Sequence, residues 1–149
     1  SSGSVATAQD YDKGLAAAQA GDLATALQEW RPLAERGDAK VQFQLGYMYT
    51  NGQGVIRDDT EAVRWFRLAA DQGYAKAQAY IGVMYEYGWG VLQDNVRAHM
   101  WYNISAANGL GWGATNRDNR AEEMPPADIS QAQAMARECM NSGYVDCGW

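Results

Sequence analysis

Two glycine-rich stretches carry the pattern most typical of a ligand site. The segments TNGQGVIRD, residues 50–58, and EYGWGVLQD, residues 86–94, share the pattern Gly-x-Gly-Val. Such loops bind phosphate when they follow a strand and open a helix. Here both stretches lie between segments of helical periodicity, with no predicted strand before them. The sequence therefore predicts turns, in which the first glycine ends a helix in the left-handed conformation and the second turns the chain.

The other residues that could do chemistry lack suitable partners. His99 is the only histidine, and no His-Glu-x-x-His motif surrounds it, so we predict an ordinary packing or surface residue. Asp58, with Glu61 three residues later, has the spacing of a helix capping box, and Asp22 and Asp94 stand in equivalent places. Ser-x-x-Lys, Lys-Thr-Gly and Gly-x-Ser-x-Gly are absent from the sequence. We predict no catalytic residue, no metal and no cofactor.

The two cysteines stand apart from the rest of the pattern. Cys139 and Cys147 are separated by Gly143, a predicted helix stop. A disulfide between them would pin the tail to the last helix and add about 2.5 kcal/mol by loop entropy. Free or buried thiols, or a metal or redox site, are the alternatives. A disulfide indicates an oxidising compartment, so we predict a periplasmic or secreted protein, with a cytoplasmic location as the alternative.

Composition narrows the class of partner. The 149 residues fit one domain, and no apolar run approaches the roughly 18 residues of a membrane span. The net charge of −6 repels nucleic acid and anionic lipid, which leaves protein or peptide as the expected partner. Residues 1–4 look like a remnant of a cloning vector, and we expect any signal peptide to have been removed upstream of them.

An internal repeat organises the chain. The segment VQFQLGYMYTNGQGVIRDDTEAVRWFRLAADQG from Val41 aligns without a gap with AQAYIGVMYEYGWGVLQDNVRAHMWYNISAANG from Ala77, 36 residues later. Each unit reads as two helices, because apolar residues recur at helical spacing in both halves. Gly46 and Gly82 occupy the same place in the first helices, where a glycine indicates close approach of a second helix.

This repeated pattern resembles the Sel1-like repeat family, relatives of the tetratricopeptide repeats. The resemblance implies an all-α, right-handed α-α solenoid of stacked antiparallel helix hairpins. The first unit lacks the four loop residues that carry Gly-x-Gly and resembles a tetratricopeptide hairpin, while Pro126 is placed to begin the last helix. We expect one domain, 1–149, divided into a tetratricopeptide-like first helix pair at 5–38, Sel1-like repeats at 39–74 and 75–110, and a C-terminal capping helix pair and tail at 111–149.

The resemblance also implies a function and a binding surface. In tetratricopeptide-like solenoids the first helix of each pair lines a concave face, which binds peptides or protein segments without catalysis. Transferred by position, the expected contact residues are Lys40, Phe43, Tyr47, Thr50, Asn51, Lys76, Val83, Glu86, Tyr87 and Trp112. Any one of them could instead pack or face water. Trp89, in the second glycine loop, is either folded over a neighbouring unit or exposed as a contact.

Two other functions stay open at this point. Some cysteine-rich Sel1-like proteins are associated with penicillin-binding or β-lactamase activity, which suggests an envelope enzyme acting on β-lactams or peptidoglycan. Their cysteine pair in each repeat is missing from this chain. A structural module that oligomerises through its groove is the second alternative. The preferred prediction is a monomeric adaptor or scaffold of a bacterial envelope.

Overall fold

The computed structural model describes the backbone of residues 2–149 and the side chains from residue 10 onward. Within that range all regular structure is helical and no strand occurs. The eight helices are α1 (Ser2–Gln19), α2 (Leu23–Glu35), α3 (Ala39–Asn51), α4 (Asp59–Ala70), α5 (Ala75–Tyr87), α6 (Asn95–Ala107), α7 (Gly111–Ala121) and α8 (Pro126–Asn141). The predicted all-α solenoid is confirmed.

The helices stack as successive hairpins. Helices α1 and α2, α3 and α4, and α5 and α6 form pairs, and each pair contacts the next through α2–α3, α4–α5 and α6–α7. The terminal helices follow a different arrangement, because α7 and α8 both pack against α6. Within the described chain, no helix is long and apolar enough to cross a membrane.

Aspartates fix where the second helices begin. The carboxylate of Asp58 accepts a hydrogen bond from the Glu61 N–H at 3.0 Å, and Asp22 and Asp94 cap α2 and α6 in the same way. The capping prediction is therefore confirmed. The reciprocal half of a capping box is missing, because the Glu61 side chain pairs with Arg64 instead.

The glycines of the repeat allow close packing between elements. A Cβ atom on Gly46 would lie 2.5 Å from the ring of Phe66, and one on Gly82 would lie 2.7 Å from the ring of Tyr102. The predicted close approach is confirmed, with the ring supplied by the second helix of the same unit. In the first loop Gly54 has φ +73° and lies against the backbone of Leu23, so the loop packs on the start of the preceding α2.

Amide side chains tie successive turns together. Gln42 is buried and donates a hydrogen bond to the Ala34 carbonyl oxygen at 3.0 Å, and its own oxygen accepts one from Gln72. One repeat later Gln78 donates to Ala70 O and accepts from Asn108. Both repeats therefore place a glutamine side chain inside the apolar core, and its buried polar groups are hydrogen-bonded.

The tail folds back over the second helices. Cys139 and Cys147 form the predicted disulfide, with their Cα atoms 4.5 Å apart. The indole of Trp149 then stacks on buried Trp101, with ring centroids 4.7 Å apart, and donates a hydrogen bond to Asp71. The guanidinium of Arg67 lies 4.0 Å from the Trp149 ring centroid. The disulfide thus holds an aromatic cover over α4 and α6.

Candidate protein-binding groove

A row of three aromatic rings runs across α3, α5 and α7. Tyr47 lies on α3, Tyr80 on α5 and Trp112 on α7. The ring centroids of Tyr47 and Tyr80 are 5.9 Å apart, and those of Tyr80 and Trp112 are 5.8 Å apart, both in edge-to-face contact. All three side chains are at least partly open to solvent. We call this set the ring row.

Buried aromatic residues support the ring row from below. Phe43 is only 9% exposed and contacts the rings of Tyr47, Tyr80 and Phe66 at centroid distances of 5.3–6.3 Å. Phe66 in turn lies 5.3 Å from Tyr80 and fills the space beside Gly46. Phe43, which the resemblance to tetratricopeptide-like solenoids placed among the contact residues of the concave face, is instead buried and forms part of the floor of the groove.

The two glycine loops build one wall of the groove. Arg57, from the first loop, places its guanidinium 5.5 Å from the ring centroid of Trp89 in the second loop. Tyr87 stacks on the same indole at 4.9 Å. Trp89 packs against its neighbours and still keeps 40% of its surface exposed, and its role as a contact stays a prediction. The wall borders a hollow of about 200 Å³, lined by Tyr47, Thr50, Asn51, Arg57, Tyr80, Val83, Met84 and Trp89.

Several polar groups of the groove are already hydrogen-bonded. The Thr50 hydroxyl donates to Asp59 Oδ1 at 2.9 Å, and the Asn51 amide donates to the Tyr47 carbonyl oxygen at 2.8 Å. Arg57 forms an ion pair with the same Asp59 at 3.0 Å. These contacts hold the C-terminal end of α3 against the start of α4 and limit the freedom of the groove residues.

Glu86 belongs to a network beneath the surface. Its carboxylate accepts a hydrogen bond from the Tyr102 hydroxyl and pairs with Arg120 of α7 at 3.0 Å. Burial, followed by the bond to Glu86, raises the pKa of Tyr102 well above its ordinary value. Since its oxygens are already engaged, Glu86 joins α5 and α6 to α7 and offers little to a partner.

The two predicted lysines lie away from the hollow of the groove. Lys40 and Lys76 are both exposed, near the N-terminal ends of α3 and α5. The Lys40 ammonium lies 5.3 Å from the ring centroid of Tyr11, whereas Lys76 borders a separate shallow hollow beside Tyr74. Neither residue lines the hollow in front of the ring row.

Tyr80 is one of the groove residues that the sequence analysis missed, together with Arg57 and Met84. It lies 36 residues after Gln44, just before the buried Ile81 and Gly82, where the preceding repeat shows only an amide. Burial, followed by the neighbouring Tyr47, raises the pKa of the Tyr80 hydroxyl. The available signal was an aromatic residue with a polar tip at a position where the other repeat is hydrophilic.

The single histidine lies outside the groove, buried in α6. His99 is 3% exposed, and its Nδ1 has no hydrogen-bond partner among the described residues. Burial, followed by the positive charge of Arg117, lowers the pKa of His99. It is thus a packing residue of α6. Across residues 10–149 no cluster of three or more His, Cys, Asp or Glu side chains could hold a metal ion.

Comparisons with known proteins agree with this geometry. Stacked helix hairpins with an aromatic groove across their first helices define an α-α solenoid repeat protein. The Sel1 repeat family model matches residues 39–74 and 75–110. A Sel1 repeat protein from Oxalobacter formigenes is 31% identical, with a TM-score of 0.69, over 76% of this chain and 88% of that one. The chain belongs to the Sel1 repeat family.

A second solved structure aligns over more of the chain. It is c5321, a protective antigen present in uropathogenic Escherichia coli strains and displaying an SLR fold. The two are 26% identical, with a TM-score of 0.84, over 93% of this chain and 31% of that one. This chain therefore spans about a third of the length of c5321. A comparison with curated protein sequences gives no significant match.

Proposed function

We propose that this protein is a non-catalytic interaction module that holds a peptide or protein segment in the groove along its first helices. The observation that carries the proposal is the ring row of Tyr47, Tyr80 and Trp112, which crosses α3, α5 and α7 and stays at least partly accessible. Sel1 repeat proteins are generally interaction modules, which supports the same function. No feature of the described residues favours the β-lactam or peptidoglycan enzyme alternative.

The physical case rests on how the rings are held. Aromatic side chains dominate the binding energy of many interfaces, since each buries a large area at a small entropic cost. Here each ring of the row is packed against the next, and Phe43 and Phe66 support them. A partner would therefore meet a surface whose rotamers are already restricted, which lowers the cost of binding.

The setting of the proposed function is an oxidising compartment. The Cys139–Cys147 disulfide persists outside the reducing cytosol, which supports a periplasmic or secreted location. The net charge of −6 argues against nucleic acid as a partner. An adaptor or scaffold of the bacterial envelope, acting as a monomer, fits these properties.

A pull-down from envelope extract tests the proposal. The bait is the disulfide-intact protein, compared with the double variant Tyr87→Ala/Trp112→Ala. Those side chains are 58% and 38% exposed, so their removal should leave the fold intact by circular dichroism. The matched control is Ile56→Ala/Leu92→Ala, which removes two exposed apolar residues outside the ring row. If the groove variant still captures the partner and the control variant does not, the partner binds outside the groove.

A further inference from the structure

We propose that the occupant of the groove is an extended, proline-rich segment in the polyproline II conformation. This inference rests on the proposed function and names the chemistry of its partner. It follows from the small hollow in the groove, the secondary structure of its walls, the hydrogen-bonding groups that remain free and the aromatic lining.

The groove offers only a small hollow to a partner. The hollow beside Tyr47, Tyr80 and Trp89 has a volume of about 200 Å³. An α-helix with its side chains is about 10–12 Å across, so a turn of helix does not fit inside the hollow. A single extended chain needs to insert only one side chain at a time.

The walls of the groove also exclude strand addition. A peptide that binds as a β-strand needs the free edge of a sheet, and residues 2–149 contain no strand. The backbone groups within α3 and α5 are bonded inside their own helices. An extended partner must therefore be stable without backbone pairing, which is a property of polyproline II.

The free hydrogen-bonding groups favour a partner rich in acceptors. Trp30 and Trp149 donate to acceptors within the chain, whereas the indole N–H groups of Trp89 and Trp112 have no acceptor among the described residues. The carboxylates nearest the ring row are occupied, since Asp59 binds Arg57 and Glu86 binds Arg120. Proline supplies a carbonyl oxygen and no N–H, so a proline-rich chain matches this imbalance.

The aromatic lining of the groove agrees with that partner. Proline-rich segments in the polyproline II conformation bind in grooves lined by aromatic side chains. The ring row supplies three such side chains in mutual contact, with ring centroids 5.9 and 5.8 Å apart.

The test is a nuclear magnetic resonance titration of the ¹⁵N-labelled, disulfide-intact protein with a decaproline peptide. The tryptophan indole N–H signals show where the peptide binds, because Trp89 and Trp112 lie at the groove and Trp149 lies in the tail. We expect the signals of Trp89 and Trp112 to shift in a saturable manner, while those of Trp30 and Trp149 stay in place. A Gly-Ser peptide and an amphipathic helical peptide of equal length are the comparison probes.

Variants then separate the partner chemistry from the groove itself. Tyr47→Ala should weaken decaproline binding at least fivefold, and the exposed-site control Leu92→Ala should leave it unchanged. If decaproline causes no saturable shift up to millimolar concentration, or shifts Trp149 instead, the polyproline inference is overturned. In that case a pull-down that still depends on Tyr87 and Trp112 would leave the proposed function standing. Tighter binding of the helical peptide would also overturn the inference.

Discussion

The two Sel1 repeats place different chemistry at equivalent positions. In the repeat at 39–74, Phe66 packs beside Gly46 and forms part of the apolar floor under the ring row. Thirty-six residues later Tyr102 packs beside Gly82, and its hydroxyl reaches Glu86, which pairs with Arg120. The hydroxyl oxygen that distinguishes Tyr102 from Phe66 thus links this packing position to α7 through Glu86. The repeat preserves the shape of the ring that packs beside the glycine, while the polarity of that ring depends on the unit that it contacts.

The outer face shows a second difference between the repeats. Trp65 and Trp101 occupy the same position and both are fully buried. The guanidinium of Arg64, on the same helix as Trp65, lies 4.4 Å from the Trp65 ring centroid. Trp101 is covered by Trp149, which comes from the tail. The last repeat therefore depends on a distant segment for a contact that the earlier repeat makes locally.

The largest effect should come from filling the space beside the repeated glycines. Gly46→Val and Gly82→Val should each lower the free energy of unfolding by about 3 kcal/mol, because the buried rings of Phe66 and Tyr102 have little room to move. Chemical denaturation measures the change. The matched control is Gly111→Val, where an added Cβ meets nothing within 4 Å, and a change within about 0.5 kcal/mol is expected. Tolerance at only one of the two glycines would show that the repeats do not share this packing.

Removing the disulfide should have the next largest effect. The double variant Cys139→Ala/Cys147→Ala should lose about 2.5 kcal/mol of stability, since the unfolded chain regains its loop entropy. The tail should also detach, so the Trp101 environment should change while that of Trp65 is preserved. Denaturation and indole N–H spectra measure the two effects. An unchanged Trp149 signal would mean that the tail is held without the disulfide.

Loss of the Tyr102–Glu86 hydrogen bond in the second repeat should lower the free energy of unfolding slightly less. Tyr102→Phe removes the donor to the Glu86 carboxylate and should cost about 2 kcal/mol, whereas the exposed control Tyr87→Phe should cost nothing measurable. The pKa of Tyr102 is raised in the folded state, so its stabilisation is present below about pH 10, the ordinary pKa of tyrosine, and is lost at higher pH. The difference between wild type and Tyr102→Phe should therefore narrow above that pH. A constant difference would contradict the account.

The smallest effect should be on the pH dependence of stability, to which only the second repeat contributes a histidine at this position. Val63 in the first repeat corresponds to His99 in the second, where burial lowers the pKa of the imidazole. The unfolded chain then takes up a proton more readily than the folded protein, so stability is lost as the pH falls below about 6.5. His99→Val should remove this part of the decrease between pH 7 and pH 5 in thermal melts. Equal pH dependence of the variant and the wild type would exclude a role for His99.

Sequence reasoning succeeded where the cause is local. Asp58 and Asp94 accept hydrogen bonds from N–H groups three residues further on, and Gly52 and Gly88 end helices in the left-handed conformation, so spacing alone predicts both. The close approach at Gly46 also follows from the repeat. These features depend on neighbours in the chain or on the 36-residue period, which are visible without a structure.

The remaining features depend on contacts across long separations. The hydrogen bond from Trp149 to Asp71 spans 78 residues and lies outside the repeat, so the 36-residue period does not predict it. Glu86 looked like an open groove residue because its partner Arg120 lies in α7, where the repeat pattern fades. Tyr80 was missed because its repeat equivalent is Gln44. The groove was thus predictable in location, and only partly in composition.

Photo-cross-linking tests the central claim most directly. A photoreactive phenylalanine analogue is placed at Val83, which lines the hollow beside Tyr47, and in a second sample at Leu68, which is 40% exposed on α4. Both samples are irradiated in envelope extract under oxidising conditions. If the groove holds the partner, a discrete cross-linked protein should form from position 83 and be absent from position 68. Cross-links from position 68 alone would contradict the account.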